Sequence, residues 1–155
     1  MDLVLAAGQG LGLALAAGIL AGALAGPLAR EGRGIDPIAA LLLTLALIGG
    51  AYLFGAALET EDHPAWPGWP IGAAAAALAF TVSRAVVAGA TSRAGEGASP
   101  MLIAGILVLG AAIVAAGSLA FGGVGLLAFI AVGYLALGRR RRAGQKYEGL
   151  RILRG

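Results

Sequence analysis

From Leu3 to Ala29 the chain carries no charged residue. About 20 consecutive apolar residues suffice for a helix to cross a bilayer core, so this stretch is predicted to span a membrane. Its side chains are small in a regular pattern. Ala6, Gly10, Ala14, Gly18, Gly22 and Gly26 recur at every fourth position, and Gly8, Gly12 and Ala16 form a second row beside them. Residues four apart share one helix face. In lipid, helices associate through close packing, and a face of small residues lets a second backbone approach. The pattern predicts a first helix that others pack around, with Gly10, Ala14, Gly18, Gly22 and Gly26 as its packing surface. Because the later segments are also rich in Ala and Gly, packing within one chain is favoured, and a homo-oligomer remains open.

Composition points the same way. Hydrophobic residues make up 59% of the chain and charged residues 12%, about half the charged share of ordinary soluble domains. So few charges could not cover the surface of a water-soluble fold of 155 residues. There is no cysteine, which removes disulfide and thiol chemistry. Basic residues concentrate at the end: Arg139, Arg140, Arg141, Arg142, Lys146, Arg151 and Arg154 face one acid, Glu148, while the rest of the chain is net acidic. A basic tail beside apolar helices marks a membrane surface with anionic headgroups rather than nucleic acid. Asp2 at the start, and an apolar run too long for a signal-peptide core, argue against a cleaved leader.

The expected fold class is all-α: a polytopic transmembrane bundle of five crossings near 3–29, 37–58, 71–92, 101–118 and 121–138. Residues 1–138 form the membrane domain and 139–155 a basic cytoplasmic tail. Asp36 and Pro37 supply a helix cap and a first-turn proline for the second crossing, and Ser99 and Pro100 do the same for the fourth. Between the second and third crossings lies the one sizeable polar loop, Glu59 to Pro70, in which Pro64, Pro67 and Pro70 interrupt regular structure and Trp66 and Trp69 suit the headgroup level. Met101 to Gly138 carries no charge. At about 1.5 Å per residue one helix of that length would reach about 57 Å, far beyond a core of about 30 Å. It is therefore expected to fold back within Gly117 to Gly125. Placing Arg139–Arg142 in the cytoplasm puts Arg30, Arg33 and Arg93 there as well and leaves the opposite loops without Lys or Arg, so the positive-inside rule gives N-terminus outside and C-terminus inside.

Arg30, Gly32, Gly34, Asp36 and Pro37 are echoed, at a constant offset, by Arg93, Gly95, Gly97, Ser99 and Pro100, and Gly26 by Gly89. Two related helical hairpins plus a fifth helix are expected, in parallel orientation because each unit has two crossings. The stretch Gly12 to Gly22, the segment Ala90-Thr-Ser-Arg93-Ala with Ser99-Pro100, and the tail Lys146 to Arg154 resemble a bacterial integral membrane family known only as domain of unknown function 4126. That resemblance implies a polytopic bundle in the bacterial cytoplasmic membrane and no assigned activity. The acidic segment that family carries after its second helix is here compressed to Glu59–His63.

Arg84 is the sharpest single candidate, a charge inside the third crossing. An arginine at the centre of a membrane helix costs about 2.5 kcal/mol or more. With Thr81 and Ser83 it is expected either to line a polar pathway or meet a lipid phosphate, or else to reach the headgroups from a tilted helix. Glu59, Glu61, Asp62 and His63 have ligand chemistry but no metal-motif spacing and read as a solvated loop. Gln9 and Thr44 are expected to bond across helices. No catalytic set can be assembled around the single histidine, and no phosphate loop is present, so neither an enzyme nor a cofactor is expected. The expected function is a compact structural or interaction module of the membrane; the alternative is a small transporter or channel for a solute or anion with Arg84 on its pathway.

Overall fold

The computed structural model describes residues 2–28, 36–94 and 99–152. The links carrying Arg30, Gly32, Arg33, Gly34, Gly95 and Gly97 lie outside the described residues, as does Arg154. Five helices make up the fold: α1 (Asp2–Leu28), α2 (Pro37–Glu59), α3 (Gly68–Ala94), α4 (Pro100–Ala120) and α5 (Gly122–Ile152). Each holds a stretch long and apolar enough to cross a membrane. The protein is an all-α helical bundle.

The helix ends follow from local chemistry. Asp36 sits in extended backbone and accepts the amide N–H of Ile38, and Ser99 does the same for Met101. In both cases proline follows at the first helical position, where its missing N–H has no helix partner to lose. α2 ends in a tight turn: the Asp62 and His63 amides donate to Glu59 and Leu58 carbonyls, and Asp62 adopts φ 58°. α3 starts at Gly68, ahead of the expected 71, because Pro70 falls in its first turn, where proline is tolerated. The long apolar run breaks at Phe121, an extended residue whose N–H caps the Gly117 carbonyl. α5 shows no break at Arg139 and continues through the basic segment as helix. The expected boundary between membrane domain and tail is thus a change of composition within one helix.

α1 is the hub, packing against all four other helices, whereas α2 touches neither α4 nor α5 among the described residues. Half of α1's span is buried, against 11% of α5's. The glycines explain how. Gly18 meets the Ala76 carbonyl of α3, Gly22 meets Phe80 and Ser83, and a Cβ built on Gly26 would lie 2.6 Å from Val87. These partners rise in number with α1, so α1 and α3 run parallel. On another flank Gly8 meets Gly122 and Gly125, and Gly12 meets Ser118 and Gly125, which holds α4 and α5. Gly10 receives Phe54 of α2.

The bundle is inside-out in residue size. Its core is mostly alanine, with Leu15, Val87 and Ser118 the largest of the side chains buried almost completely. Leu41, Leu45, Ile48 and Tyr52 of α2, and Leu127, Ile130, Tyr134 and Leu137 of α5, point outward. In water this would be unstable; in lipid the tails solvate large apolar side chains as well as a core would, and small residues inside give close backbone contact. The two helix pairs differ in packing. α1 and α2 lie against each other along much of their length, while α3 and α4 barely touch and α4 packs on α1 instead.

Candidate functional site

The polar groups at membrane depth separate into distinct places. Ser83, 3% exposed, packs against Gly22 of α1. Thr81 is exposed and its hydroxyl donates to Leu78 of its own helix at 2.8 Å. Arg84 is exposed. Thr81 and Arg84, three residues apart, share the outward flank of α3 while Ser83 turns inward, so the three expected pathway residues do not converge on one site. Thr44 is likewise exposed and bonds back to Ala40, a common outlet for a threonine hydroxyl in a helix, instead of crossing to a neighbour. Gln9 does cross, its amide Nε2 donating to the Leu119 carbonyl of α4 at 3.4 Å.

The side chain that bridges helices at the other end of the bundle is Arg139. Its Nη1 donates to the Val82 carbonyl at 3.3 Å and its Nη2 to the Ala85 carbonyl at 3.0 Å, both on α3. Among the described residues these are main-chain acceptors, not carboxylates. Ala85, Val86, Gly89 and Ala90 lie along one flank of α3 and, with Arg139, line a cavity of about 240 Å³. Arg84 lies on roughly the opposite flank, since successive helical residues turn by about 100°. The side chains of Arg140, Arg141 and Arg142 lie outside the described set. Sequence reasoning assigned Arg139 to the topology anchor and missed its grip on α3. The available signal was the small flank of α3, where Gly89 leaves room that a larger residue would fill.

Two apolar pockets occupy the other end. One, about 450 Å³, is lined by Leu3, Ala7, Phe54, Leu58, His63 and Ile71 among others. The second, about 420 Å³, lies between α3 and α5 and shares Ile71. Glu59, Glu61 and Asp62 are exposed, and among the described residues no group of three or more His, Asp or Glu side chains is placed to hold a metal ion.

Five membrane-length helices, an alanine and glycine interior and an outward apolar surface define a multi-pass membrane protein. No family model, curated protein or solved structure matches the chain.

Proposed function

We propose that the protein is a compact structural or interaction module of the bacterial cytoplasmic membrane, with its N-terminus outside and its basic end in the cytoplasm, acting through its outer surface and through anionic lipid. The observation that carries this reading is the interior. Along α1 the neighbouring helices approach to main-chain contact, and the buried polar side chains among the described residues are Ser83 and Ser118, the latter bonded within its own helix to Ala115. Such an interior offers a solute no line of polar groups. Arg84, the residue on which a transport reading rests, stands on an exposed flank, which favours the module over the pathway. The paired Asp36 and Ser99 caps support a duplicated hairpin, with α4 packed on α1 in the second copy.

The chain lacks cysteine, so single cysteines report cleanly. In native membranes, cysteine at Ala14 or Ala79 is expected to resist a water-soluble maleimide, and cysteine at Glu61 to react. Rapid labelling of the two interior sites, together with solute flux in proteoliposomes that is lost in Arg84→Ala, would overturn the module reading in favour of transport.

A further inference from the structure

We propose that the groove between α3 and the Arg139 end of α5 is a binding site for a phosphate group, with Arg139 as its cation and Gly89 as its floor. The argument starts from what Arg139 leaves unused. A guanidinium presents more N–H groups than the two bonds to Val82 and Ala85 consume, and those bonds fix its plane against α3. A pre-oriented guanidinium is well matched to phosphate, which it binds through paired charge-assisted hydrogen bonds.

Among the described residues the space beside it is open. The cavity holds about 240 Å³; a water's share of liquid volume is about 30 Å³, so a tetrahedral group of several heavy atoms fits. Gly89 explains the room. Gly26, its counterpart in the internal echo, is packed against Val87, whereas a Cβ on Gly89 would meet nothing within 4 Å. One glycine of the matched pair is consumed by helix packing and the other opens the groove. The remaining lining, Ala85, Val86 and Ala90, is small and apolar, so the guanidinium supplies the polar recognition while the walls suit the glycerol or acyl portion of a lipid. Arg139 sits where the apolar part of α5 gives way to the basic part, the depth of a headgroup phosphate. A phospholipid and a soluble phosphate share this chemistry, and the test separates them.

The full-length protein is reconstituted in nanodiscs of phosphatidylcholine doped with phosphatidylglycerol, and lipid retained on transfer to detergent is counted by native mass spectrometry. A parallel arm titrates inorganic phosphate and follows binding calorimetrically. The wild type is expected to retain both lipids through the phosphodiester they share, and phosphatidylglycerol more strongly because no choline cation offsets its charge. Both Gly89→Leu, which fills the groove without changing charge, and Arg139→Ala should weaken that retention about tenfold or more, the scale of losing charge-assisted hydrogen bonds. Arg84→Ala, on the other flank, should leave it unchanged. Phosphate binding without lipid retention, equally sensitive to Gly89→Leu, supports the site and names a soluble anion as its occupant. Wild-type retention in Gly89→Leu, or no binding of either probe by the wild type, overturns the proposal. A Cβ at Gly89 meets nothing within 4 Å and the charge of Arg139 is kept, so Gly89→Leu tests the groove even if Arg139→Ala fails to fold.

Discussion

At the residue scale the glycines divide into two kinds, and the division is measurable. Gly8, Gly18 and Gly125 face main-chain atoms of another helix, whereas Gly49, Gly105 and Gly133 face open space. In the first kind a methyl group has nowhere to go, since a carbonyl oxygen cannot rotate away as a side chain tip can. Gly18→Ala is therefore expected to separate α1 from α3 and lower the thermal midpoint in detergent markedly, at a cost of about 1–3 kcal/mol for overpacking. Gly105→Ala should be neutral or raise the midpoint, because glycine inside a helix costs about 0.5–1 kcal/mol relative to alanine. Equal effects at the two positions would mean that α1 is not held by main-chain contact. Phe54 is the converse case. Its ring fills the space left by Gly10 on α1 and Gly68 and Gly72 on α3, and it is 3% exposed. Phe54→Ala should cost about 3–5 kcal/mol, and thermal unfolding of the purified variant reads it directly.

At the element scale, capping chemistry and backbone approach set where helices begin, end and lie. Asp36→Ala and Ser99→Ala each remove the acceptor for one amide at a helix start and are expected to cost about 0.5–2 kcal/mol apiece. α2 and α4 do not touch among the described residues, so the double variant should show the sum of the two losses within about 0.5 kcal/mol; a larger departure in chemical denaturation would mean the two helix starts are coupled through the links. Both caps were legible in the sequence because Asp-Pro and Ser-Pro before an apolar run specify one geometry locally. The centrality of α1 was legible for a similar reason: its small residues repeat at helical spacing along its whole length. What the sequence did not disclose depends on relations between helices. Nothing local says that α4 leaves α3 for α1, that Ser83 turns inward while Thr81 and Arg84 turn out, or that Arg139 reaches two carbonyls on α3. Those follow from the angle at which one helix meets another, which composition does not encode.

At the scale of the whole molecule, helix order and polarity put the Glu59–Pro70 loop and the Phe121 break at one end, and the Asp36 and Ser99 caps with Arg139 at the other. Contacts fix the two ends relative to each other: Gly8 of α1 lies against the start of α5, and Gly26 lies against Val87, on α3 beyond the residues that Arg139 grips. They do not fix which end faces the cytoplasm, since a helical bundle packs identically either way up. Charge decides that, because basic residues near a crossing are retained on the cytoplasmic side. The orientation is thus predicted to respond to charge without any change in packing. Cysteine introduced at Arg33 or Ala143 should label only after the cytoplasmic face is opened, and cysteine at Glu61 should label in intact cells. Replacing Arg140–Arg142 with glutamine, which leaves the Arg139 bonds to α3 in place, while adding arginines beside Glu61, should exchange those labelling patterns in at least part of the population. If labelling is unmoved by the exchange, the basic segment does not set the orientation, and the geometry of α1 entering the membrane first must do so.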